Sequence, residues 1–126
     1  MNGRFASGGP WEETYGYSRA VRAGDLVVTA GCTSTVNGAV THPGDAYAQT
    51  ETAFGVALAA LRDAGGHPEQ VVRTRMYVTD RAHADAVGRA HGKIFGAVRP
   101  AATMVIVAGL LDPAMLVEVE LDAVLS

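Results

Sequence analysis

The C-terminal quarter constrains the fold most. Residues 102–125 read ATMVIVAGLLDPAMLVEVELDAVL, two apolar strands (Ala102 to Ala108 and Leu116 to Leu125) joined by a short turn at Asp112-Pro113. Side chains alternate between the two faces of a strand, so Glu118, Glu120 and Asp122 share one face of the second. Three carboxylates on so apolar a strand are costly unless something answers them. Val71 to Thr79 (VVRTRMYVT) is expected to alternate too, with Val72, Thr74, Met76 and Val78 on one face and Arg73, Arg75 and Tyr77 on the other. Its arginines are the natural cross-strand partners of Glu120 and Asp122.

The rest of the chain divides into short elements. Tyr15 to Ala23 and Leu26 to Ala30, separated by Gly24-Asp25, read as a hairpin, and the second strand is apolar enough to be covered on both sides. Gly31 to Gly44 reads as a loop with one short strand. Asp45 to Ala64 is a helix with Phe54, Ala57, Leu58 and Leu61 on one stripe and a stop at Gly65-Gly66. A second helix runs from Arg81 to Phe95, capped by Asp80, with Ala82, Ala86, Val87, Ala90 and Ile94 buried. The resulting α+β order is β-β-α-β-α-β-β. Two helices cover one face of such a sheet and leave the other to a second subunit, so a homo-oligomer is expected.

With 126 residues the chain is one domain, and residues 1–12 read as a loose, Gly-rich arm in which Gly8-Gly9-Pro10 is flexible and Trp11 anchors the arm to the body. Hydrophobic residues at 48% against 18% charged exclude disorder, and a net charge of −3 argues against nucleic acid as partner. No apolar run reaches membrane-helix length and no signal peptide opens the chain, so no membrane partner and a cytoplasmic location are expected. Cys32 is the single cysteine and has no basic neighbour in sequence, which fits a small buried residue better than a nucleophile. His83 and His91 are two helical turns apart without a third ligand, so no metal site is expected.

The chain resembles the RidA/YjgF/UK114 family from Tyr15 to Leu125. The resemblance lies in Tyr17-Ser-Arg-Ala20, Arg22-Ala-Gly-Asp-Leu-Val-Val-Thr-Ala-Gly31, Ala48-Gln-Thr50, Val71 to Asp80, Arg99-Pro-Ala101 and Leu116-Val-Glu-Val-Glu120. It implies a chorismate-mutase-like mixed sheet with two helices on one face. It also implies a homotrimer whose inter-subunit clefts hydrolyse small enamines and imines without a cofactor. By the same resemblance Glu118 orients the attacking water, Tyr17 donates a hydrogen bond, and Gly31, Thr103 and Met104 line the cleft with backbone amides near Thr103.

Three cleft positions depart from the family pattern. Ala102 stands where the deaminating members have an arginine that clamps the substrate carboxylate, a task for a planar guanidinium. Gly88 stands for a cleft asparagine and Ala30 for the serine before Gly31. Arg19, on the strand face of Tyr17 and in place of the family's glutamine, is a candidate for relocated positive charge. Two readings remain open: a hydrolase of neutral imine, enamine or carbonyl intermediates, and a non-catalytic trimer that binds a small molecule or a protein. Nuclease activity, sometimes attributed to relatives, fits the acidic balance least.

Overall fold

The computed structural model describes residues 2–126. In chain order the elements are β1 (Asn2–Phe5), α1 (Pro10–Tyr15), β2 (Ala20–Ala23), β3 (Leu26–Thr29), β4 (Thr35–Val36), β5 (Ala39–Val40), α2 (Ala46–Asp63), β6 (Val71–Val78), α3 (Ala84–Phe95), β7 (Ala101–Ile106) and β8 (Val117–Val124). Single 3-10 turns, Pro68–Gln70 and Arg81–His83, lead into β6 and α3. Six strands form one sheet in the order β1-β2-β3-β8-β6-β7, and only β6 and β7 run parallel. The expected α+β class with a mixed sheet and two long helices packed into one core is therefore the observed one.

The N-terminal segment departs from the loose arm expected of it. Asn2 to Phe5 pair antiparallel with Ala23 to Ala20, which extends the sheet by a strand. Pro10 then opens α1, where its missing N–H is harmless, and Gly16 closes it in the left-handed conformation at φ 76°. Gly31 to Gly44 holds two short strands rather than one. Asn37 and Gly38 both have positive φ (52° and 81°), the requirement of a tight hairpin turn, and they join β4 to β5.

Phe54, Ala57 and Leu61 of α2 and Val87, Ala90 and Phe95 of α3 are buried, and all but Ala90 belong to one core cluster with the inner strand residues. Leu58, Ala86 and Ile94 sit at the core margin, and Ala82 is exposed because the chain there makes a 3-10 turn before α3 begins. The sheet contributes Val27, Met76, Val78, Val117, Val119, Leu121 and Ala123. On β6 the alternation slips at its start. A register shift between Val71 and Arg73 turns Val71 inward and leaves Val72 48% exposed, although period two alone puts Val72 inside.

The sheet face away from the helices carries Arg73, Arg75 and Tyr77 opposite Asp122, Glu120 and Glu118. Its middle is polar; exposed apolar groups occur beyond it, among them Leu26, Val105 and Val124. The acidic row is answered diagonally: Arg75 pairs with Asp122 at 3.5 Å, and the Tyr77 hydroxyl donates to Glu120.

Two buried polar side chains tie the layers together. Gln49 donates to the carbonyls of His42 (3.2 Å) and Ala114 (3.0 Å) and accepts from the Leu116 N–H (2.9 Å), so it locks α2 to the entry of β8. Thr74 and His91 share a hydrogen bond at 2.7 Å, and the imidazole packs against Phe54 and Phe95. Burial holds the His91 pKa below its ordinary value.

Gln49→Leu keeps the volume but strands the Ala114 carbonyl and the Leu116 N–H, so urea denaturation is expected to show a loss of about 2–4 kcal/mol. For His91 the proton binds the unfolded chain more readily. Its stabilising effect is therefore full above about pH 6.5 and falls as pH drops through that range. The decrease in Tm between about pH 7 and about pH 5 should be smaller in His91→Gln than in the natural chain.

Candidate functional site

A cavity of about 570 Å³ opens where the N-terminal segment, the β4–β5 hairpin and the loop before β8 converge over the end of β3. Tyr17, Arg19, Gly31 and Glu118 all line it. These four expected site residues come from three separate stretches of sequence. Ala30 adjoins them and holds the floor in place: its N–H donates to the Arg19 carbonyl (2.8 Å), and its own carbonyl accepts from the Cys32 thiol (3.3 Å).

Glu118 projects from β8 directly onto Gly31. A Cβ built on Gly31 would collide with the Glu118 carboxylate, so only glycine permits this approach. The backbone keeps the two residues in register, because Cys32 and Val119 exchange N–H to carbonyl bonds of 2.7 and 2.8 Å. Burial pushes the Glu118 carboxyl above the ordinary range; the Arg19 charge opposes that and Glu120 adds to it. A carboxyl so raised is a stronger base than an ordinary carboxylate. Glu118 and Gly31 also border a smaller hollow of about 340 Å³ that contains Tyr77, Leu110 and Glu120.

Arg19 lines the cavity, and most of its hydrogen-bonding capacity is taken. Its Nε and Nη2 reach Glu12 at 3.4 and 3.3 Å, and Nη1 donates to the Gly31 carbonyl at 2.6 Å. The guanidinium also sits 5.6 Å from the centre of the Tyr17 ring. Glu12 is buried, and burial by itself would raise its pKa. The Ser7 hydroxyl and N–H together with the Arg19 charge outweigh that and hold Glu12 below the usual carboxylate range. Arg19 thus anchors the N-terminal segment and the Gly31 turn.

Cys32 has a basic neighbour after all, since Arg19 Nη1 stands 3.7 Å from its sulfur. Burial nevertheless pushes the thiol up, with Arg19 opposing and Glu118 reinforcing. A thiol 1% exposed that donates to a carbonyl fills space at this position.

The remaining expected residues lie elsewhere on the chain. Ala102, Thr103 and Met104 belong to β7 at the edge of the sheet, and β6 separates that strand from β8. Gly88 on α3 lies above Met104, whose methyl would be 3.8 Å from an added Cβ. Neither group reaches the cavity within one chain.

Several cavity residues were not expected from sequence. Ser7 to Trp11 had read as a lead-in and Asp112 as part of a turn, and Leu111 had carried no signal. Asn37-Gly38 did carry one, because that dipeptide between short apolar stretches marks a hairpin.

The chain matches the sequence profile of the family described as Endoribonuclease L-PSP over residues 11–125. It is 45% identical over 120 residues to the uncharacterized protein SCO2049 of Streptomyces coelicolor, an alignment spanning 95% of this chain and 90% of that one. The crystal structure of Rv2704 from Mycobacterium tuberculosis, a member of the YjgF/YER057c/UK114 family, superposes with a TM-score of 0.90 at 42% identity, covering 99% of this chain and all of that chain. A structure from Pseudomonas aeruginosa, PA3499, gives a TM-score of 0.84 at 33% identity over 100% and 95% of the two chains.

Gly31→Ala is expected to lower stability by about 1–3 kcal/mol, because the new methyl must displace Glu118. In Gly31→Ala/Glu118→Ala the loss should fall well short of the sum of the two single losses, and a double-mutant cycle by urea denaturation measures the difference. With the profile covering nearly all of the sequence and the fold shared from end to end, the chain belongs to the endoribonuclease L-PSP family, the YjgF/YER057c/UK114 group.

Proposed function

We propose that the protein is a cytoplasmic homotrimer that hydrolyses small imine, enamine or related carbonyl intermediates in clefts between subunits. Family membership supports a protein that binds or processes small molecules. The observation carrying the hydrolytic reading is Glu118, a half-buried carboxyl with a raised pKa held at a cavity wall beside Tyr17.

In the proposed reaction Glu118 accepts a proton from water as the water oxygen bonds to the imine carbon. The nitrogen takes up a proton from solvent, giving a carbinolamine. Glu118 then returns its proton to that nitrogen, the C–N bond breaks with its electron pair leaving on nitrogen, and the hydroxyl gives its proton to solvent as the C=O bond forms, which releases a carbonyl compound and ammonia or an amine. Tyr17 donates a hydrogen bond to the substrate. No cofactor or metal takes part in this scheme.

The oligomer accounts for the separated halves of the expected site. The face opposite the helices has no covering element of its own, and β7 leaves the sheet with an open, largely exposed edge. A neighbouring protomer docked there brings Gly88, Ala102, Thr103 and Met104 towards a Tyr17–Glu118 cavity, with backbone amides near Thr103 polarising the substrate. The word endoribonuclease in the family description finds less support here. The cavity offers carboxylates at Glu118 and Asp112, while its one cation is already engaged by Glu12, an unfavourable setting for a phosphate chain.

Ammonia release from freshly generated 2-aminoacrylate tests the reading. With Ala102 in place of a carboxylate clamp, the natural chain is expected to be slow on this substrate and faster on an uncharged imine, and Ala102→Arg should raise the 2-aminoacrylate rate. Failure on every imine tried, in both proteins, would favour the non-catalytic binding trimer. Light scattering should give three times the chain mass; a monomer would overturn the shared-cleft arrangement.

A further inference from the structure

The charges and aromatic groups of the cavity define what kind of molecule it accepts. Among the described residues Arg19 is the only cationic side chain on its wall, and it is paired with Glu12. Glu118 and Asp112 also face the cavity, and neither forms an ion pair among the described residues. Asp112 Oδ1 accepts the Ala114 N–H at 2.8 Å, which fixes its carboxylate without neutralising it. The wall therefore carries more negative than positive charge. A carboxylate ligand would meet no uncommitted cation, whereas a protonated nitrogen would meet two carboxylates.

The apolar part of the wall is equally unbalanced. Trp11 and Tyr17 are 39% and 37% exposed, and Leu111 is 77% exposed at the same opening. Trp11 takes no part in an aromatic or cation–π contact among the described residues, and the Arg19 guanidinium already stacks with Tyr17. An indole and a leucine left uncovered beside carboxylates provide both an apolar seat and an electron-rich face for a cation.

We infer that this cavity binds an organic cation, a protonated amine or iminium on an aromatic or bulky apolar body, with the charged nitrogen at Glu118 and the body against Trp11 and Leu111. The inference rests on the reading of this cavity as the ligand site, and it names the substrate class: imines of apolar amines or aldehydes, bound as iminium ions. Addition of water to an iminium needs no prior protonation of its nitrogen, so Glu118 in the charged form would serve both to hold the cation and to accept the proton of the attacking water.

Trp11 is the single tryptophan of the chain, so its emission reports on this cavity alone. The full chain is titrated at neutral pH with benzylamine, benzyl alcohol and phenylacetate, which share a ring and differ in charge. Benzylamine is expected to bind at least about tenfold more tightly than either of the others. Glu118→Gln should weaken benzylamine about tenfold and leave benzyl alcohol within about twofold. Because Glu118 packs on Gly31, Asp112→Asn provides a second variant that keeps the hydrogen-bond acceptor; it should weaken benzylamine about threefold and leave the alcohol unchanged.

Phenylacetate or benzyl alcohol binding as tightly as benzylamine would overturn the inference. Benzylamine affinity unchanged in both variants would overturn it as well. The two readings fail separately. Selective benzylamine binding without turnover of any imine supports the cation site and removes the hydrolysis, whereas turnover combined with a preference for phenylacetate does the reverse.

Discussion

Strand β8 runs between β3 and β6, and its strict alternation organises both the core and the site. The same eight residues seal the helices on one face, through Val117, Val119, Leu121 and Ala123, and set an acidic row on the other. A slip of one residue would exchange those faces and bury three carboxylates under α2, at a cost the fold could not sustain. Register is therefore over-determined here. Gln49 holds the entrance of β8, Cys32 brackets Val119, and Arg75 and Tyr77 take Asp122 and Glu120. Among the described residues Glu118 is the member of the row without a hydrogen bond or ion pair, and it is the one that faces the cavity.

Around Glu118 the electrostatics are arranged by elements remote in sequence. Arg19 would neutralise it if it were free, but Glu12 and the Gly31 carbonyl already engage the guanidinium. The positive charge thus supports the N-terminal segment and only tempers Glu118 from a distance. A second negative charge about 5 Å from Glu118 would be opposed by about 3 kcal/mol at an effective dielectric of about 20, and a positive one favoured by a similar amount. That margin is enough to separate ligand classes.

Much of this was legible in the residues. The period of two in 117–124, the stripe in α2 and the resemblance at Tyr17, Gly31 and Glu118 lead to the observed sheet and to one wall of the cavity. What stayed hidden depends on contacts across the chain. Glu12 looks like any surface glutamate of a polar segment until Ser7 and Arg19 close on it. Val71 replaces Val72 in the core because of a bulge, which no alternation pattern announces. Asn2 to Phe5 lacks the β-branched density of a central strand and is ordered by pairing with β2. Cys32 had no cation near it in sequence and has one in space, yet burial still decides its state.

Ala102 and Arg19 can be weighed with the same charges. The β7 edge carries no guanidinium at Ala102, and the Arg19 guanidinium is already paired with Glu12. If Arg19 simply relocated the clamp, its partner would have to be the ligand, and a buried glutamate would not be paired with it. Glu12 opposes relocation, because drawing Arg19 away leaves a buried carboxylate without its cation, a penalty of about 3–5 kcal/mol. An alanine at the one position and a paired arginine at the other point the same way. They leave Glu118 as the dominant charge of the cavity, so the sign of its preferred ligand is set by a residue on β8 that the core cannot allow to move.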